Sequence, residues 1–420
     1  MSTPTSDSKL TIGTGHRGSG GTAQAAPAGH QLDRLLTPAF VCLGLADLAY
    51  FTASGVAIYA LPLYVTGPVG STPGGAGLAF GAFAVSAILL RPLAGRWSDR
   101  YGRAPLLIGG ALLAALTLVG MTVADNLLTV VLLRLLFGVA EAAFFVASLA
   151  ALADLAPPSR MGEAISYNSL GLYLGLGLGA PLGEVVVRTL GFGGAWVVAA
   201  ILCVGGAALA ATIGETRVPR APTAEPPSGL IHWPAVPIAL GFFASVAAMG
   251  GFLAFAPLRA DGAGLANASM PIFVYGLVVV ALRVALARAQ DKLPPLTVAA
   301  IALATMTLGL SVIVVSTTPL GLVTGTVVLG AGVALSTPAF FAAIFATATP
   351  ATRGAAAGTA SIRLDLGIGL GPIVLGLVAH YGGLSRAFVV AAVIALLGSV
   401  WTCWLRLAHR GRTGVTPVRP

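Results

Sequence analysis

The sequence predicts an all-α membrane protein whose twelve transmembrane helices form two pseudo-symmetric six-helix bundles, and three observations carry that prediction. Hydrophobic residues make up 57% of the chain and charged residues 9%, with mean hydropathy +0.93; a soluble domain carries roughly 25% charged residues. Twelve apolar runs reach the length of about 20 residues needed to cross a hydrocarbon core. An offset of 192 positions (291 − 99) relates Asp99 to Asp291, Arg91 to Arg283, Gly138 to Gly330, Pro158 to Pro350, Gly162 to Gly354, and Gly175, Gly177 and Gly179 to Gly367, Gly369 and Gly371. Arg, Asp and Pro are scarce here, so their agreement marks an internal duplication of the kind transporters carry.

In chain order, residues 1–36 are rich in Gly, Ser, Thr and Ala without an apolar core, and read as a disordered cytoplasmic tail, not a cleaved signal peptide. The N-terminal bundle, 37–213, holds runs at 38–64, 75–95, 104–124, 127–152, 161–187 and 193–213. A Pro-rich polar connector, 214–233, forms a semi-rigid cytoplasmic linker. The C-terminal bundle, 234–408, holds runs at 234–258, 268–288, 295–316, 319–347, 354–379 and 384–407, and 409–420 forms a second cytoplasmic tail.

A formal charge of +9 suggests nucleic acid when it gathers on a soluble face. Here it follows topology. Loops on the N-terminal side carry Arg96, Arg100, Arg103, Arg160, Arg217, Arg220, Arg288, Lys292 and Arg353, whereas the opposite loops carry Arg188, Arg259 and Arg386. The positive-inside rule therefore puts both termini in the cytoplasm, with the lipid bilayer and no nucleic acid as partner. Cys42, Cys203 and Cys403 lie within spans and read as packing residues; no metal set, nucleotide-binding loop or nucleophile with a base is present, so no enzyme is expected.

Asp99 and Asp291 end spans two and eight, where a carboxylate can face the positive N-terminus of another helix. Pseudo-symmetry then brings Asp99 to the start of span eleven at Thr352 and Arg353, and Asp291 to the start of span five at Arg160, latching the cytoplasmic side; the alternative is a solvated turn that only anchors orientation. Within the spans, Asp47 stands about ten residues into span one, with Tyr50, Phe51, Ser54 and Ile58 continuing the same face. Charge at this depth costs about 2.5–3.5 kcal/mol on insertion scales, so it marks function. Arg134 and Glu141, seven apart, share a face of span four. Arg363 and Asp365 in span eleven are two apart and need partners elsewhere; their repeat mates are Gly171 and Tyr173. Arg363 either faces the cavity or staples two helices. Asn168, Tyr173, Met249, Phe252, Phe340 and Phe341 are further cavity candidates, against plain packing.

The loop Gly95-x-x-x-Asp99-Arg100-x-Gly102-Arg103, preceded by Arg91-Pro92, resembles the signature between the second and third helices of the major facilitator superfamily. Span four resembles that family's fourth-helix pattern, with Arg134 four residues before Gly138, and the resemblance implies a part in proton transfer for Arg134. Gly175, Gly179, Pro181 and Gly183 are similar to the fifth-helix glycine motif of its antiporters, although Ala180 separates the second glycine from proline; span eleven has the tighter Gly367, Gly371 and Pro372. Glycines four apart suit either a gliding interface between the halves or small-residue packing. The loop 154–163 resembles the connection after helix four in bacterial efflux members for drugs or arabinose-like sugars.

The family implies two bundles rocking around a central cavity. Together these readings lead to a monomeric, multi-pass protein of the bacterial inner membrane that exports a small lipophilic or drug-like molecule in exchange for protons. The proton gradient supplies the energy and no cofactor is needed. Asp47, Arg134, Glu141 and Asp365 carry proton coupling; Asp47, Tyr50, Phe51, Ser54, Glu141 and Arg363 lead the substrate contacts. A sugar or metabolite uniporter or symporter is the alternative within the fold, and a receptor or scaffold that moves nothing is the alternative outside it.

Overall fold

The computed structural model describes residues 35–157, 160–217, 231–290, 293–349 and 352–413. Asp291, residues 218–230 of the linker, and the side chain of Arg353 lie outside the described residues. Among the described residues there are twelve helices and no strand: α1 (Pro38–Thr66), α2 (Pro73–Tyr101), α3 (Arg103–Gly120), α4 (Leu127–Leu155), α5 (161–190), α6 (192–213), α7 (Val236–Gly262), α8 (Met270–Gln290), α9 (Pro295–Val315), α10 (Pro319–Phe345), α11 (Arg353–Gly382) and α12 (Leu384–Thr413).

Helix α5 and helix α6 form one helical stretch, Met161–Ile213, broken only at Gly191, whose φ of 73° and ψ of −177° suit glycine alone. Fifty-three helical residues would extend about 80 Å, more than twice a hydrocarbon core. The contacts confirm a reversal. Along α5, Gly175 meets Phe51 and Gly183 meets Val56, so α5 runs parallel to α1; along α6, Trp196 stacks edge-on with Tyr64 and Gly206 approaches Ala46, so α6 runs back. Every helix therefore crosses once, and α1 begins on the same face where α12 ends. This is the terminal face; the other is the far face.

Local chemistry sets the helix starts. Thr37, Thr72, Asn126 and Thr318 each accept a hydrogen bond from the backbone N–H three residues on, capping α1, α2, α4 and α10. Asn126 and Thr318 are themselves 192 residues apart, so the repeat extends to the caps. The sequence places a loop over Gly95–Arg103, but α2 continues through Tyr101 and only Gly102 breaks it, at φ 106°. Leaving lipid frees side chains to be charged without ending backbone hydrogen bonding, so composition marks the membrane boundary and not the helix end.

The two halves meet along two seams. On one, α2 lies against α11, where a Cβ added to Gly77 would stand 2.9 Å from the Gly376 Cα, and one on Gly369 would stand 2.7 Å from the Ala84 Cβ. On the other, α5 lies against α8, where a Cβ on Gly276 would stand 2.7 Å from the Gly177 Cα. Both seams depend on glycine for backbone contact. Each half has its own aromatic core: Tyr50 stacks on Phe144 at 4.0 Å between α1 and α4, and Phe242 packs on Phe340 and Phe341 at 5.5 and 5.6 Å between α7 and α10.

Candidate substrate cavity and coupling residues

Helix α4 carries Arg134, Phe137, Glu141 and Phe145 at helical spacing, so one face turns an arginine, an acid and two rings toward the same space. That space is a cavity enclosing about 1040 Å³, counting the part continuous with solvent, between α1, α2, α4 and α5 of one half and α7, α8 and α11 of the other. Phe51, Phe80, Phe83, Phe137 and Phe145, with leucines, isoleucines and Met249 between them, give it a mainly apolar wall. Its charged lining comprises Arg91, Arg134, Glu141 and Asp365, a balanced set of two cations and two acids.

Arg91 and Asp365 join the halves across this cavity, with Nε 2.8 Å from Oδ2 and side chains 14% and 5% exposed. The guanidinium also lies over the Phe145 ring, 4.7 Å from its centroid. Neither Arg91 Nε nor Asp365 Oδ2 has a hydrogen bond of good geometry, so the pair is held by charge more than by direction. Arg134 is buried between the rings of Phe83 and Phe137, 4.9 Å from each centroid, and donates to the backbone carbonyls of Ala79 and Phe80 at 3.2 and 3.5 Å. These rings and carbonyls take the place of a carboxylate.

The repeat places a second contact opposite the first. Arg283, the mate of Arg91, lies 4.6 Å from the ring centroid of Tyr173, the mate of Asp365, and its Nη2 donates to the phenol oxygen at 3.4 Å. One seam thus holds an ion pair where the other holds a cation on a neutral ring. Sequence reasoning does not single out Arg283 or Tyr275 as site residues. The offset could have supplied Arg283 through Arg91, but nothing in periodicity distinguishes Tyr275 from a packing residue.

The remaining site residues separate into lining and support. Phe51, Ser54, Ile58, Tyr173 and Met249 line the cavity. Asp47, expected to lead its face, is fully buried instead between α1, α4 and α5, where Ser148 Oγ donates to both carboxylate oxygens at 2.8 Å and Asn168 donates to Oδ2. Tyr50 is buried beside Glu141 and stacked on Phe144. Phe252 sits behind Tyr275 at 5.7 Å, and Phe340 and Phe341 pack on Phe242 inside the C-terminal half, away from the lining. Arg363 is half-buried outside the lining. Among the described residues, no three His, Cys, Asp or Glu gather to hold a metal ion.

The family model of the Major Facilitator Superfamily matches residues 43–362 and 238–420. The chain belongs to the major facilitator superfamily. It is 28% identical over 365 residues to an uncharacterized MFS-type transporter of Salmonella typhimurium, covering 84% of this chain and 92% of the relative. The fold is similar to the human organic anion transporter MFSD10, with TM-score 0.68, 19% identity and coverage of 87% and 99% of the two chains. It is also similar to the nucleoside transporter NupG, with TM-score 0.72, 14% identity and the same coverage.

The Gly95–Arg103 segment closes α2 and opens α3. Asp99 Oδ1 accepts from Arg103 Nη1 at 2.7 Å, and its side chain is 76% exposed on the terminal face. Arg103 also binds Asp154 at 3.0 Å and Ser98 at 3.1 Å. Arg160 pairs with Glu163 at 2.8 Å, while Arg100 lies against Tyr101. Glu215, just past α6, accepts from the Arg103 and Ala104 amides opening α3, at 2.9 and 3.3 Å, and from the Arg217 amide at 2.9 Å. Burial alone raises the Glu215 carboxyl's pKa, but these amides and the Arg217 charge outweigh it and hold it below its ordinary 4.5. Arg217 Nη1 donates to the Asp99 and Arg100 carbonyls at the end of α2, at 2.9 and 2.8 Å. The first linker residues therefore bind both helix ends of the signature, an acid at the positive end and a base at the negative one. A Cβ on Gly102 would run into the Glu215 carboxylate.

Of the two readings of the interface glycines, small-residue packing within each half describes where they sit. Gly175, Gly179 and Gly183 face α1, and Gly367 and Gly371 face Val246 and Ala247 of α7, so they close each half internally. Gly177 and Gly369, two residues along, point the opposite way and form the seams. At 100° per residue, a two-residue step nearly reverses a helix face.

Proposed function

We propose that this protein is a proton-coupled exporter working by alternating access, exchanging a small lipophilic molecule from the cytoplasm for protons. Membership of the superfamily supports secondary transport; the cavity supports the rest. Its apolar wall suits an apolar substrate, and the observation that carries proton coupling is the Arg91–Asp365 pair, which joins the halves inside that cavity. Protonating Asp365 removes the charge that holds Arg91. Loading or losing one proton there alters the attraction between the halves at the place where substrate sits, which is what coupling requires. Glu141 shares the lining and offers Arg91 a second acid.

The hydrogen bonds and ion pairs that link the halves, among the described residues, run from this depth to the far face. With the terminal face cytoplasmic, as the arginine distribution indicates, this conformation accepts substrate from the cytoplasm. Asp99 and Arg103 then belong to the latch that forms when the terminal side closes. The test is a transport screen in proteoliposomes with an imposed pH gradient, using lipophilic cations, neutral antibiotics and sugars. Gradient-driven accumulation of one lipophilic class supports the proposal. Transport of sugars alone, indifferent to the gradient, refutes it.

A further inference from the structure

Glu184 and Arg188 stand four apart near the far end of α5, the spacing of a surface ion pair, and such a pair contributes little. In the structure Glu184 is 4% exposed and reaches the other half. Its Oε1 accepts from the Ala268 amide at 2.9 Å and from Arg188 at 2.6 Å. Its Oε2 accepts from the Ser269 amide at 3.0 Å and the Ser269 hydroxyl at 2.5 Å. Ser269 is the residue on which α8 begins, since its carbonyl accepts from the Phe273 amide at 3.0 Å. A carboxylate of the N-terminal half thus caps the positive end of a helix in the C-terminal half. Arg188 adds a bond to the Ala266 carbonyl in the same connection.

This contact continues the seam. Seven residues outward from Gly177 along α5 stands Glu184, and seven residues back from Gly276 along α8 stands Ser269, so the same antiparallel register serves both. The repeat shows that the fold does not demand it. Shifting by 192 carries Glu184 onto Gly376 and Ser269 onto Gly77, the very pair that closes the α2–α11 seam by bare backbone contact. At equivalent places one seam is shut by two glycines and the other by a charged clasp. Backbone contact carries little orientation dependence, whereas the three hydrogen bonds that Ala268 and Ser269 give to one buried carboxylate are made or lost together when α8 leaves α5.

We propose that Glu184 is a positioning residue for transport: a far-face clasp on the start of α8 that sets how often the far side opens. It rests on the alternating-access reading but on neither proton coupling nor substrate class. The test places spin labels at V123C and V315C, repeat mates just past the far end of α3 and at the far end of α9 that are 78% and 77% exposed, in protein whose Cys42, Cys203 and Cys403 have been replaced. Distances between the labels are measured in nanodiscs without substrate or pH gradient. E184Q, which removes the charge while keeping size, is expected to raise the ratio of separated to closed populations roughly tenfold or more, and S269A to raise it less. A folded, monodisperse E184Q whose distances coincide with the parent's overturns the proposal. Should E184Q not fold, S269A is read in its place, and coincidence with the parent overturns it equally. Since neither readout uses substrate or protons, failure of the export reading leaves this result independent.

Discussion

Replacing Asp365 with Asn tests the coupling argument most directly, because it removes one charge and almost no volume. At 2.8 Å the attraction to Arg91 is about 6 kcal/mol at an effective permittivity near 20, and the cost of drying both groups offsets much of it. Leaving a buried partner unpaired costs about 3–5 kcal/mol; here Phe145 still holds the guanidinium and the cavity admits water, so about 2–3 kcal/mol is expected. The conformation joining α2 to α11 therefore loses roughly 30- to 150-fold in population. In proteoliposomes, D365N should lose accumulation driven by a pH gradient while retaining exchange of labelled for unlabelled substrate without one. Exchange needs both conformations but no net proton movement. Accumulation by D365N with the parent's pH dependence would refute the reasoning, and the proton would then belong to Glu141.

Three further outcomes are expected. D99N should abolish transport in membrane vesicles while expression and thermal stability stay near the parent's, since the carboxylate is mostly exposed; unchanged transport contradicts the latch. Gly179→Ala should cost about 1–3 kcal/mol in detergent unfolding, because the new Cβ meets the Thr52 carbonyl and stands 2.8 Å from Gly55, whereas Gly44→Ala, with nothing within 4 Å, should not destabilise; equal effects count against the α1–α5 contact. Glu215 is held below its ordinary 4.5, so its stabilisation is present above that value and fades as pH falls through the depressed one. The melting temperature of the parent should therefore exceed that of E215Q at neutral pH, and the gap should close in acid; a gap unchanged down to pH about 3 contradicts the assignment.

Features that depend on local chemistry were legible from sequence. Spans follow from apolar length, and the cavity acid Glu141 from its cost in lipid. Features that depend on which helix face meets which were not. Asp47 and Glu141 carry the same signal, yet Ser148 and Asn168 fold one away and leave the other in the cavity. The glycines of α5 were recognised as contact residues, but only packing reveals that Gly175 and Gly179 serve α1 while Gly177 serves α8. Nothing in the sequence marks Glu184, because the Ala268 and Ser269 amides it accepts from lie more than eighty positions away and backbone groups have no sequence signal.

Gly191 has a consequence for biogenesis. Because a single residue reverses the chain between α5 and α6, no hydrophilic loop separates these spans on the far side of the membrane. They must enter the bilayer together as a hairpin, since inserting one alone would strand the other's apolar face in water. A larger residue at 191 would favour one continuous helix and send everything downstream to the wrong side. The expected symptom is not an inactive transporter but an inverted C-terminal half, recognised as misassembled before any substrate is met.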